Sequence, residues 1–472
     1  MNVQSGAWLQ TMRPVLQQLL ARLLERYAYA SVLASDVDAK DYSVSARGTS
    51  IAENNTFGKR GFVVRVHENG GYAEYSANSL DASGIPEVLE RIESELKGAG
   101  AFARYETPVS ADEPLTFVKS TSYEKDPKAL GDEAVVTRLN AIREKGLSMD
   151  ERLLDVSVRF SYQFYHKLFL SKNRDLEQNV LWTSAALAMV ARKGQEIKDS
   201  YRSMSLLGGA ELLDSVEEKL GETCKTVIDL LESKPLTPGE YECVCTPEVT
   251  GMIVHEAFGH GVEMDMFVKD RALAKNFIGE YVASPLVTMY DGAATGYEDV
   301  ATYFFDDEGN TAGNTLIIDK GVLKTGICDE VSAARLNTAP TGNGRREAVD
   351  HKAYTRMTNT WFTEGDSTVE EMIASVKDGL LLEEPSSGME DPKNWGIQCM
   401  VSFAREIKDG KLTGRIFSPI VLSGYVPDLL KSISMVSQHA GHSGGGACGK
   451  GWKEWVKVSD GGPWIKARIR LG

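Results

Sequence analysis

His255-Glu256-Ala257-Phe258-Gly259-His260 sets two imidazoles on either side of a carboxylate, within an otherwise apolar segment. Those residue types are what a metal-ligand pair and an adjacent proton-transfer group require. In an HExxH helix the histidines sit at i and i+4 and share one face. Here they sit at i and i+5, which on an ideal helix leaves them roughly 140° apart, too far to grip one ion. One residue must be absorbed, and a π-type turn does that. Gly259 and Gly261 weaken the helix where it must yield, so the spacing predicts a widened or ending helix over 258–261. Singly, His255 reads as a core histidine, His260 as a helix-end donor and Glu256 as half of an ion pair. Their clustering, in a chain with only seven histidines, favours the metal reading.

Two ligands do not hold a catalytic zinc ion. The best-placed third is Cys448, in the glycine-rich stretch His442 to Gly451, where backbone can approach an ion closely and Lys450 favours the thiolate. Glu263, His439 and His442 are alternatives, and a buried packing role is the plainer reading of Cys448. A His2Cys set leaves one position open for water, so the expected chemistry is hydrolysis of a peptide carbonyl by zinc-bound water that Glu256 activates. Glu263 and Asp265 are candidates for groups that orient the histidines. Gly342-Asn343-Gly344-Arg345-Arg346 offers two cations that either clamp a substrate carboxylate or lock a loop, and Asn359 could bond an extended peptide.

HEAFGHGVEMD (His255 to Asp265), PTGNGRRE (Pro340 to Glu347), RMTNT (Arg356 to Thr360) and ACGK (Ala447 to Lys450) together resemble the TldD/PmbA metallopeptidase family, long described as modulators of DNA gyrase. The likeness is strongest from about residue 241 to 450. It implies zinc on His255, His260 and Cys448, with Glu256 as general base. It further implies one Zn2+ per active subunit, and cleavage of unfolded or extended peptides in the cytoplasm. The active unit it implies is a homodimer, or a heterodimer with a related subunit lacking the metal motif. The HExxGH form also resembles the dipeptidyl peptidase III type, whose third ligand is a glutamate; Glu370, Glu371, Glu383 and Glu384 are the residues to consider there. Two other classes stand beside the peptidase: a peptide-binding or scaffolding subunit with a structural metal, and a protein-level modulator of DNA gyrase.

These residues need elements to position them. An amphipathic first helix carries Val15, Leu16, Leu19, Leu20, Leu23, Leu24 and Tyr27. Short alternating strands are expected at 42–46, 62–66 and 72–75, with a hairpin turn at Asn69-Gly70, and a half-buried strand at 154–162. Helices are expected at 86–97 and 133–145, and one long amphipathic helix at 209–233. Pro235 to Gly239 breaks the pattern and predicts a boundary. The expected class is α+β: an N-terminal α/β domain, 1–234, with short antiparallel strands, and a C-terminal β-rich, curved or barrel-like domain, 235–472, carrying the HExxxH helix. Beyond residue 235 only that helix and 368–379 read as helical.

Composition narrows the partners. Sixty-seven acidic against 52 basic residues give a net charge of −15, which argues against nucleic acid and anionic membranes. Six scattered cysteines without a CxxC pair exclude a disulfide framework, and Cys243 and Cys245 read as packing on one strand face. Gly444 to Lys450 imitates a Walker A loop, but Gly451 stands where a Ser or Thr must bind magnesium. The first helix fits neither a secretory segment nor a membrane span, so a cytoplasmic location is expected.

Overall fold

The computed structural model describes residues 1–53, 58–68, 70–100, 112–296, 299–444, 446–451 and 454–472. Asn69, Gly445 and Trp452, named above or within the stretches quoted, lie outside them. Helices and strands are mixed throughout, in two large sheets whose strands fall within 29–206 and 239–471.

The first sheet has eight strands, antiparallel except where Leu115–Ser120 runs parallel to Arg174–Lys193. Its strands are long rather than short: Tyr29–Ser45 has 17 residues, Leu153–Ser171 has 19 and Arg174–Lys193 has 20. The reason lies in burial on both faces. Ala30, Val32 and Ala34 pack beneath helices Ala7–Leu24 and Ile85–Gly100, while Leu33, on the opposite face, meets Phe305 from the C-terminal half. Strands covered on both sides lose their polar alternation, so only the half-exposed ends at 42–46 and 154–162 carry a strand pattern. The hairpin is present, with Glu68 opposite Gly71. The expected long helix at 209–233 is two, Leu212–Glu218 and Leu220–Leu230, divided at Lys219.

The second sheet has eleven strands. Gly239–Cys245, Asp378–Asp391, Gly396–Lys408, Ile420–Tyr425 and Ser459–Leu471 pair in a ring that closes where Ser459–Leu471 meets Gly239–Cys245. This five-stranded barrel gives definite form to the curved region expected from sequence. Cys243, Cys245, Leu380, Leu382, Cys399, Leu422 and Ala467 occupy register-matched positions and pack in one core. The helix expected at 368–379 is only Val369–Ala374, capped by Thr368 and Glu371, because a strand begins at Asp378. Met264–Val268, Glu330–Leu336 and Val426–Lys431 are further short helices, too brief to show a period in sequence.

Helix Pro247–Val254 lies on the barrel strand Ser459–Leu471, with Thr250 against Gly462. Gly251 makes this approach possible, since a Cβ there would strike Asp460 and the Gly461 amide. The chemistry-bearing turn leaves the end of this anchored helix.

Candidate metal centre

Pro247 starts the helix at its first turn, where its missing N–H costs nothing, and Val249, Ile253 and Val254 bury its apolar face. From His255 to Gly259 the chain is π-helical, and the His260 N–H donates to the His255 carbonyl, an i+5 bond. A 3-10 turn, His260–Val262, follows. The wider turn brings both imidazoles to one side, with ring centroids 5.2 Å apart and planes at 85°. Phe258, fully buried against Trp395, fixes the turn from behind.

Cys448 arrives from a different part of the chain. It sits in a small hairpin, Ala447–Cys448 paired with Val456–Lys457. Its Sγ lies 3.3 Å from His260 Nε2, and one ligand atom from each of His255, His260 and Cys448 falls within 4.8 Å of the others. A tetrahedral zinc site has N-to-S edges of roughly 3.5 Å, so the trio fits such an ion with little closure. The Nδ1 of buried His255 has no hydrogen-bond partner among the described residues. Burial opposes a charged Cys448, but attraction from His260 and His255 outweighs it and holds the thiol well below its usual range. Burial also opposes a charged His260; Cys448 and Glu263 overcome it and hold the imidazole well above its ordinary value. Two imidazoles and a thiolate are the donor set of a catalytic zinc site.

Glu263 accepts or shares a bond with His260 Nδ1 at 3.2 Å, and receives Arg356 Nε at 3.0 Å. It therefore stands behind His260. Asp265 accepts from Lys450 and Lys269, both at 2.8 Å. Lys450 thus faces carboxylates, not the sulfur as its position in sequence suggested. The cation on the sulfur is Arg356, whose Nη2 donates to Cys448 Sγ at 2.9 Å. His442 pairs with Asp299 at 3.3 Å and His439 is exposed on the strand Met435–Ser443. Among the dipeptidyl peptidase III-type candidates, Glu370 and Glu371 are exposed, while Glu383 and Glu384 are bound by Arg405 and Arg202. None joins the trio.

Glu256 is half-buried on the same turn. The strand Asp378–Asp391 runs so close that a side chain at Gly388 would collide with Glu256 Cγ. Two residues on, Glu390 lies over Gly261 with both carboxyl oxygens buried and without a partner among the described residues. Asp460, on the barrel, is buried near His255, and burial pushes its carboxyl up to about 6. Sequence reasoning passed over Arg356, Glu390 and Asp460. Arg356 carried a signal, its place in the RMTNT run, whereas Glu390 and Asp460 look like ordinary surface acids until the chain is folded.

The three residues expected to touch substrate are placed differently. Arg346 is buried and forks onto Glu74 of the first sheet, so it locks the loop. Asn359 is buried too: it donates to the Gly292 carbonyl at 2.9 Å and accepts from the Ala301 amide at 3.1 Å and Ser459 Oγ at 2.7 Å. These bonds join strands and leave its amide no reach toward a peptide. Arg345 donates to the Met357 carbonyl at 2.6 Å and lies 5.6 Å above the Tyr303 ring.

A family model described as the PmbA/TldA metallopeptidase C-terminal domain matches residues 238–468. A metalloprotease of Methanocaldococcus jannaschii is 30% identical over 318 residues, covering 67% of this chain and 69% of that one. A zinc metalloprotease TldD homolog of Saccharolobus solfataricus is 26% identical over 345 residues, 72% and 76% of the two chains. In fold, TldE from Thermococcus kodakarensis superposes with a TM-score of 0.73 at 18% identity, over 96% of this chain and 99% of its own.

Proposed function

This chain belongs to the PmbA/TldD metallopeptidase family, and on that premise we propose that it is a zinc-dependent peptidase acting on unfolded or extended peptides. The observation that carries the reading is the convergence of His255, His260 and Cys448, with Glu256 on the same turn. When bound, zinc supplies Lewis acidity that polarises a carbonyl and acidifies water.

The rest falls to the chain's own groups. Glu256 takes a proton on its carboxylate oxygen as water adds to the peptide carbonyl, and delivers it to the leaving amine nitrogen. Gly388 leaves the room in which that carboxylate turns. Glu263 holds the His260 ring through Nδ1, keeping Nε2 directed at Cys448. The apolar packing of Phe258 and Ile253 limits water behind the turn. An extended substrate suits the neighbouring strand: Pro385 to Asp391 pairs on one side with Gly396 to Val401, and among the described strands nothing pairs its other edge.

We further propose a cytoplasmic enzyme that works as a dimer, either with its own copy or with a related subunit lacking the metal motif. The six cysteines are all unpaired and buried, as a reducing compartment allows. No helix among the described residues is long and apolar enough to cross a membrane. Metal analysis followed by Glu256→Gln tests the assignment. One zinc per chain, retained in the variant while peptide cleavage falls by about 100- to 10,000-fold, supports it; undiminished cleavage removes Glu256 from the mechanism.

A further inference from the structure

Arg356 is fully buried, yet its guanidinium is spent on three separate pieces of chain. Nε donates to Glu263 Oε1 at 3.0 Å, Nη1 to the Glu454 carbonyl, and Nη2 to the Cys448 carbonyl at 3.2 Å and Cys448 Sγ at 2.9 Å. Glu263 in turn meets His260 Nδ1. One planar cation therefore spans the cysteine hairpin and the histidine turn, whose ligands are 188 residues apart in sequence. We infer that Arg356 is a positioning residue of the metal centre, acting on Cys448 through an N–H to sulfur bond and on His260 through Glu263.

Each contact has its own consequence. The bond to sulfur draws electron density from the thiolate, weakening its donation to an ion and leaving that ion the stronger Lewis acid. The bond to Glu263 fixes the carboxylate that sets the His260 ring. Lysine cannot substitute: its compact ammonium has neither the fork nor the plane that serves sulfur, two carbonyls and a carboxylate together. A guanidinium at this depth needs compensation, and Glu263 supplies the carboxylate at 3.0 Å.

The inference rests on the peptidase reading, and metal binding by the full chain separates the two. Zinc affinity is measured by chelator competition for wild type, Arg356→Lys and Glu263→Gln, and each protein is also loaded with Co2+ to record the thiolate-to-cobalt charge-transfer band. Arg356→Lys is expected to weaken zinc binding by roughly 10- to 100-fold and to move the band to longer wavelength, as the sulfur loses its hydrogen bond. Glu263→Gln is expected to weaken binding while leaving the band in place. A general loosening of the fold lowers affinity without this selective spectral change. Wild-type affinity in both variants, or an unmoved band in Arg356→Lys, overturns the inference alone. If Arg356→Lys does not fold, wild-type affinity in Glu263→Gln is sufficient to overturn it. Wild-type protein that takes up no zinc overturns the peptidase reading and this inference together.

Discussion

At the junction of the two sheets, Arg65 donates to Glu74 and Glu308 at 2.8 Å each and to Glu330 at 3.3 Å, Arg346 forks onto Glu74, and Lys167 meets Asp307. At the end of the helix Pro247–Val254, a second buried cluster gathers His255, His260, Cys448, Glu263 and Glu390. Both are dense in titratable groups and shielded from water. The first closes on itself, each named cation meeting acids across the junction. In the second, His255 Nδ1 and both oxygens of Glu390 have no partner among the described residues. Buried polar groups are nearly always satisfied, so an incomplete cluster calls for something from outside the chain, whereas a complete one holds the structure together. Burial and charge alone do not distinguish a site from a clasp.

The sharpest break in this comparison removes a ligand. His255→Ala or Cys448→Ala should abolish stoichiometric zinc binding and reduce peptide cleavage by about 1,000-fold or more, with little loss of thermal stability in the metal-free protein; calorimetry and metal analysis read both. In the clasp the outcome is reversed. Arg65→Met leaves Glu74, Glu308 and Glu330 buried beside a missing cation and should cost about 3–5 kcal/mol in denaturant unfolding, while zinc affinity holds. If Arg65→Met instead loses zinc first, the two clusters are not separable.

A smaller change bears on the catalytic turn. Gly388→Ala places a methyl against Glu256 and should lower kcat by about 10- to 100-fold with zinc content unchanged, since small misplacements of a reacting group are costly. The smallest effect is one of pH. Burial disfavours the charged form of Glu74, but Arg65 and Arg346 outweigh it and hold the carboxyl down at about 2. Its contribution to stability is therefore complete above the ordinary carboxylate range and is lost as pH falls toward 2. Glu74→Gln should show a shallower fall in stability over that window than wild type; an identical slope removes Glu74 from the acid response.

Much of the site was legible before folding, because its logic is local. Three residues, His255, Glu256 and His260, lie within six positions, and the i+5 spacing already required a distorted turn. Cys448 could be nominated through its glycine-rich surroundings and the ACGK run. The long strands of the first sheet were not legible, since covering both faces removes the alternation by which a strand is read. Arg345, Arg346 and Asn359 show the same limit from the other side. Their side-chain types suit substrate binding, but burial and local hydrogen bonds commit Arg346 and Asn359 to holding chain segments together.

The sequence alone determined which atoms could bind an ion and move a proton, because ligand type and helical spacing are properties of neighbouring residues. Tertiary structure decided that Arg356, not Lys450, attends the sulfur, and that Glu390 and Asp460 crowd the same turn. Those groups come from strands and loops far apart in the chain, and only the closing of the barrel and the docking of its glycine-lined faces bring them within a few ångströms.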